Sequence, residues 1–347
     1  MVFSQLLPVL RQYPVATTLV RIEPLHGAGG FSGANLWRLH CGSAPFGYCL
    51  RQWPAGQPAP DRLRWIHGVL DQVVRAGIQI VPAPLRTHSG ASYVEYLDHL
   101  WEVSPWMPGV ADYHQHPSPQ RLCNAFVALG QFHVAAARSA AAEQARIPEV
   151  LAARSARIRE WLARPRAAWL EKIDAFSRGS ETVPSELASQ LAAQALEVLT
   201  HFQRLAPVLA RQLAAWNQAV PIQPCIRDIW HDHVLFEGDR VSGLVDFGAM
   251  QLETVAGDVA RLLGSLAGDS QSDREIGLNA YESVRTLSHS ERQLVPLLDR
   301  TSSLLSPMNW IQWLCVERRT FDHPQSIAQR VEGFLARLRR LSLIDLD

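Results

Sequence analysis

Residues 225–250 read CIRDIWHDHVLFEGDRVSGLVDFGAM, and this stretch decides the fold. Asp228 follows an apolar lead and opens a polar loop. His233 comes next in the loop, before the apolar run Val234-Leu235-Phe236. Glu237-Gly238-Asp239 has hairpin-turn composition, and the apolar run Val241 to Val245 leads back to Asp246-Phe247-Gly248. The pattern predicts a loop and a hairpin that bring two carboxylates and an imidazole into one pocket. That set suits phosphoryl transfer: one carboxylate orients an attacking hydroxyl, while the other and the side chain at 233 hold a divalent metal on nucleotide phosphates.

The stretch resembles the catalytic and metal-binding loops of the aminoglycoside phosphotransferase and choline kinase-like family, which has the protein kinase fold. The family pattern is an aspartate, four variable residues, an asparagine, then a hairpin ending in Asp-Phe or Asp-Phe-Gly. Asp228, Asp246, Phe247 and Gly248 match it. His233 stands at the asparagine position, and Ile226-Arg227 replaces the usual His-Gly. The resemblance implies an α+β, protein kinase-like fold: a small N-terminal antiparallel sheet lobe and a larger, mainly helical C-terminal lobe. The first, 1–107, would hold the nucleotide; the second, 108–347, would carry the catalytic and metal loops and the acceptor site. It implies transfer of the ATP γ-phosphate to a hydroxyl of a small-molecule acceptor. Asp228 would be the catalytic base, with Asp246 and His233 as metal ligands. The expected cofactors are ATP and Mg²⁺, with Mn²⁺ an option because an imidazole is a softer ligand than an amide oxygen.

Upstream, HGAGGFSGAN (26–35) is a glycine-rich turn. Without a Cβ, glycines let backbone N–H groups approach phosphates, so Gly29, Gly30 and Gly33, with the Ser32 hydroxyl, are nucleotide-binding candidates. An ordinary hairpin turn is the plain alternative. The family places a phosphate-binding lysine on its third strand, but Lys172 is the only lysine in the chain and lies far beyond that strand. Arg51, in YCLRQW, takes the position and keeps the positive charge. The family's helix glutamate, which pairs with that lysine, has no clear match at Asp61 or Asp71. Pro105-Trp106-Met107 reads as the connector lining the adenine end, so Trp106 and Met107 complete the nucleotide set.

Local pattern fills in the rest. Leu19–Ile22, Leu36–His40 and Tyr48–Gln52 read as strands, and Ser92–Leu97 with Leu100–Ser104 as a hairpin around Asp98-His99. Helical spacing over Asp61–Ala76 has Asp61 as N-cap and Gly77 as stop. Arg121–Arg138 reads as one helix, with His133 a packed core residue. The segment Ile147–Trp216 breaks at Pro165, Gly179, Pro184 and Pro207 into about four helices. Asp258 opens a further apolar helix, as an N-cap or as the family's acid buttressing the catalytic loop. Trp310 and Trp313 read as core.

Composition narrows the partners. Lys plus Arg and Asp plus Glu both total 33, so no basic surface points to nucleic acid. No apolar run reaches membrane-span length. Five cysteines without a CxxC pair suggest reduced thiols, and the N-terminus lacks a cationic leader; both point to the cytoplasm. Two other functions fit parts of the pattern. A pseudokinase-type nucleotide-binding module would explain the missing lysine and asparagine. A metal-dependent hydrolase would use His231, Asp232, His233 and Asp246.

Overall fold

The computed structural model describes residues 2–25, 33–42, 44–139, 145–179, 183–321 and 324–343. The chain divides into two compact units. One comprises Met1–Glu143, Gln223–Leu252 and Ser272–Thr286; the other comprises Gln144–Ile222, Glu253–Gln271 and Leu287–Asp347.

In the first unit, α1 (Val2–Leu10) precedes β1 (Leu19–Pro24), β2 (Asn35–Cys41) and β3 (Ala44–Gln52). After α2 (Pro60–Arg75) come β4 (Val94–Tyr96) and β5 (His99–Pro105). The strands form one antiparallel sheet in the order β1-β2-β3-β5-β4. Strand alternation sorts its two faces. Trp37, Leu39 and Cys41 of β2, Leu50 of β3 and Trp101 and Val103 of β5 pack with Leu6, Val9 and Leu10 of α1. Trp37 and Trp101 stack at 5.7 Å between ring centroids. Arg51 follows Leu50 and so faces the other way, and the β3–β5 register sets it directly opposite Glu102.

Helix α2 buries Leu63, Ile66, His67, Leu70 and Val73 along one stripe. Its N-cap is Ala59, with Pro60 at the first helical position. The expected cap Asp61 is instead in the first turn, where its charge favours the helix dipole. The β4–β5 turn is made by Leu97 and Asp98, both with positive φ, 50° and 60°. Two left-handed residues give the turn a twist that matches the flanking strands.

Past the connector, α3 (Pro119–Ala136) starts at Ser118, whose side chain accepts the Arg121 N–H. The chain returns to this unit as β6 (Gln223–Cys225), β7 (Val234–Glu237) and β8 (Arg240–Leu244). β7 and β8 are the hairpin read from the sequence, turning at Gly238 with φ 59°. His133 of α3 is fully buried, with Nδ1 2.8 Å from the Tyr281 hydroxyl, as a core histidine should be.

The second unit is helical: α4 (Glu149–Ala163), α5 (Arg166–Gly179), α6 (Ser185–Ala215), α7 (Val255–Leu266), α9 (His289–Ile311) and α10 (Pro324–Leu341), with α8 (Gln271–Glu282) mostly in the first unit. Pro207 does not break the chain; it lies inside α6. An interior proline costs about 3 kcal/mol. Buried Phe202, Leu205, Leu209 and Leu213 flank it, and each stabilises by roughly 1.5–3 kcal/mol, so packing wins. Thr254 caps α7, which leaves Asp258 buried in the first turn and not at the cap. Trp310 is buried and meets Trp313 edge-on at 5.2 Å. No helix among the described residues is long and apolar enough to cross a membrane.

Candidate active site

The hairpin and the third strand build the site within the first unit. The Val245 N–H donates to the His233 carbonyl at 3.0 Å, which sets His233 beside the start of Asp246-Phe247-Gly248. His233 Nε2 lies 3.7 Å from Asp246 Oδ2, and Nδ1 lies 2.7 Å from the Asp228 carbonyl oxygen. That carbonyl only accepts, so Nδ1 carries a proton. On the other nitrogen the Trp230 indole N–H donates to Nε2 at 3.0 Å, which identifies Nε2 as the lone-pair nitrogen.

Backbone strain gathers at the two acids. Arg227, immediately before Asp228, has φ 67°, and Asp246 itself has φ 62°. Left-handed backbone at non-glycine residues persists where the surroundings over-determine it. Here Phe247 is buried against Phe132 at 5.5 Å, and Arg62 of α2 donates to the Gly248 carbonyl at 3.0 Å. Arg227 reaches across to the Gln251 side chain.

From β3, Arg51 Nη1 comes within 3.4 Å of Asp246 Oδ1. Its Nε lies 3.8 Å from Glu102 Oε1, and its guanidinium sits 4.7 Å from the Trp53 ring. Burial works against the Arg51 charge, but the carboxylates of Asp246 and Glu102 outweigh it and raise the guanidinium pKa. Glu102 also accepts from His67 Nε2 at 2.7 Å. Burial alone would raise the Glu102 carboxyl; the His67 hydrogen bond and the nearby positive charge lower it instead. Cys49, on the same cavity wall, has its thiol pushed up to about 11, chiefly by burial, so it offers no thiolate nucleophile at neutral pH.

The structure thus brings together Arg51, Asp246, His233 and the Asp228 backbone. Gly29, Gly30 and Ser32 lie outside the described residues; Gly33 has φ 70°, a conformation suited to glycine. Trp106 lies under the Arg38 guanidinium, 4.3 Å from its ring centroid. Met107 is buried, and a Cβ on Gly243 would come within 2.8 Å of the Met107 Cβ. The connector is fixed to the hairpin by paired backbone bonds between Val110 and Phe236, 3.0 and 2.9 Å.

Sequence reasoning missed Glu102, His67, Trp53 and Trp230. Asp61 and Asp71 of α2 pair with Arg64 and Arg86, and the acid opposite Arg51 on the sheet is Glu102 of β5, which His67 of α2 also contacts. His231 pairs with Asp232 at 3.4 Å, and its ring packs against His114 and Trp230 at 4.2 and 4.5 Å. Asp246 could offer a divalent cation one carboxylate oxygen, and His233 could offer Nε2 once the Trp230 N–H is displaced from it. Donors about 2.1 Å from a shared ion lie at a separation comparable to theirs.

A family model described as "Phosphotransferase enzyme family" matches residues 26–293. The homoserine kinase of Afipia carboxidovorans is 37% identical over 105 residues, 29% of this chain and 32% of that protein. That alignment covers well under half of the relative's length. The homoserine kinase of Nitrobacter winogradskyi is 27% identical over 293 residues, 80% of this chain and 75% of that one. Among solved structures, a spectinomycin phosphotransferase in complex with ADP and spectinomycin has a TM-score of 0.65 at 14% identity, covering 97% of this chain and 93% of that chain. At that identity the likeness is one of fold, and it bears out the α+β kinase-like reading.

Proposed function

The chain belongs to the phosphotransferase enzyme family, and on that premise we propose that it transfers the γ-phosphate of ATP to a hydroxyl of a small-molecule acceptor. The observation that supports this most is the convergence of a strand cation and two loop donors: Arg51 3.4 Å from Asp246, and Asp246 3.7 Å from His233. Residues 1–107 would hold the nucleotide and 108–347 the acceptor.

In this reading Asp228 accepts the proton of the acceptor hydroxyl. The acceptor oxygen forms a bond to the γ-phosphorus, the bond from that phosphorus to the β–γ bridging oxygen breaks, and ADP leaves with the electron pair. Arg51 holds the phosphate chain, helped by backbone N–H groups at Gly29, Gly30 and Gly33 and by the Ser32 hydroxyl. Trp106 and Met107 line the adenine end. Asp246 and His233 would hold the divalent cation, which when bound neutralises phosphate charge. Homoserine, the substrate in the names of the relatives, is the first acceptor to test.

The test is acceptor-dependent ADP release by the purified protein with ATP and Mg²⁺ or Mn²⁺, across homoserine and other amino alcohols, choline and aminoglycosides. Release lost in Asp228→Asn supports the reading. ATP binding with no release for any acceptor favours the second reading, a nucleotide-binding module with little activity. One observation favours that alternative: the Trp230 N–H occupies the His233 lone pair. The hydrolase reading has less support, because His231 is engaged with Asp232, His114 and Trp230.

A further inference from the structure

We propose that Glu102 and His67 are positioning residues that aim Arg51 at the nucleotide phosphates, with the orienting acid carried by the sheet and not by helix α2. This rests on the phosphotransferase reading of the site and goes beyond it by assigning two residues to it.

An arginine has several rotatable bonds, so its charge acts at a defined point only if something fixes the fork. Three groups do so here. Glu102 faces Arg51 from the neighbouring strand by register. Asp246 takes the Nη1 edge and Trp53 covers the guanidinium face. Glu102 is held in turn: His67 Nε2 meets its Oε2 at 2.7 Å, and Ser92 Oγ meets His67 Nδ1 at 2.8 Å. Because Glu102 accepts, Nε2 carries the proton. The side chains of His67 and Glu102 are only 3% and 13% exposed, so water offers little competition for these bonds.

A histidine on the helix cannot replace the acid, since a neutral imidazole offers the guanidinium no negative charge and a protonated one repels it. It can share an acid with Arg51, and the geometry has that form. The consequence is mechanical. Arg51 and its acid are on hydrogen-bonded strands of one sheet, so their alignment does not depend on a movement of α2. The helix only locks the acid's second oxygen.

Titration of ATP, ADP and adenosine into wild type, Glu102→Gln, Glu102→Asp, His67→Gln, His67→Leu and Arg51→Met distinguishes positioning from charge. Removing an anion beside a cationic site should by itself tighten binding of a polyanion. Positioning predicts the reverse: Glu102→Gln weakens ATP by about tenfold, equivalent to roughly 1.4 kcal/mol, and leaves adenosine unchanged. Glu102→Asp restores part of the loss. His67→Gln, which keeps an N–H, stays near wild type, and His67→Leu does not. Tighter or unchanged ATP binding in Glu102→Gln, while Arg51→Met weakens it, overturns the inference and leaves the kinase reading standing. Loss of adenosine along with ATP also overturns it, because that is general structural damage. Wild type that binds no ATP removes the reading beneath it.

Discussion

Arg51 Nη1 and Asp246 Oδ1 lie 3.4 Å apart, joining a strand cation to a loop acid almost two hundred residues away. In the proposed function the two groups have opposite tasks toward a nucleotide, one on its phosphates and one on its metal, and in the structure each is the other's partner. On that reading a phosphate chain and a cation entering together would replace the contact and leave both groups paired, whereas either alone would leave one of them short.

Asp228→Asn keeps the size of the side chain and removes the carboxylate proposed to accept the proton. Turnover should fall by about 10²–10⁴-fold, with ATP affinity unchanged. Steady-state rates with direct nucleotide titration check this. Turnover surviving at the wild-type rate would remove Asp228 from the chemistry.

Trp230→Phe deletes the indole N–H that donates to His233 Nε2 at 3.0 Å. A bond of net worth about 1 kcal/mol corresponds to roughly fivefold tighter Mn²⁺ binding in the variant. Calorimetric titration of Mn²⁺ in the presence of ADP measures it. Equal affinity in both proteins would show that the metal does not use His233.

Gly248→Ala places a Cβ 2.9 Å from Trp53 Cη2. Trp53 is buried and covers the Arg51 guanidinium, so it cannot swing away freely. The substitution should destabilise by about 1–3 kcal/mol in urea unfolding and weaken ATP binding with it. A neutral result would mean that the Trp53 ring has room to move.

Glu102 gives a pH signature. Its native carboxyl lies below the ordinary value because the lowering effects of His67 and Arg51 outweigh burial. Against an unfolded value of about 4.3, its stabilisation is complete above that pH and is lost as the pH falls toward the lowered native value. The difference in Tm between wild type and Glu102→Gln should therefore hold steady from neutral pH down to the ordinary carboxylate range and close below it. Acids remote from Arg51 and Glu102 titrate alike in both proteins and cancel. A difference that widens on acidification would contradict the assignment.

The parts of the fold legible from sequence were those written in local spacing. The hairpin between Asp228 and Gly248, the β4–β5 hairpin and the apolar stripe of α2 each declare themselves within a few residues, although the β4–β5 turn falls at Leu97-Asp98 and not at Asp98-His99. Pro207 misled because a local breaker was outweighed by packing along a 31-residue helix. Asp61 reads as a cap because it is the acid nearest the start of the helix, yet Pro60 already stands at the first helical position. Glu102 and His67 had no local signal. Their relation to Arg51 exists only through the β3–β5 register and the face that α2 buries. Sequence spacing does not encode either one.

The most direct test of the account is a thermal-shift titration with ATP, alone and with Mg²⁺ or Mn²⁺, on wild type and Asp246→Asn. A ligand at about 100 times its Kd stabilises by roughly 2.7 kcal/mol, a readily visible shift. Stabilisation by ATP should grow with the metal in wild type and lose its metal dependence in Asp246→Asn. No shift with ATP under any metal condition, or the same metal-dependent shift in both proteins, would contradict it.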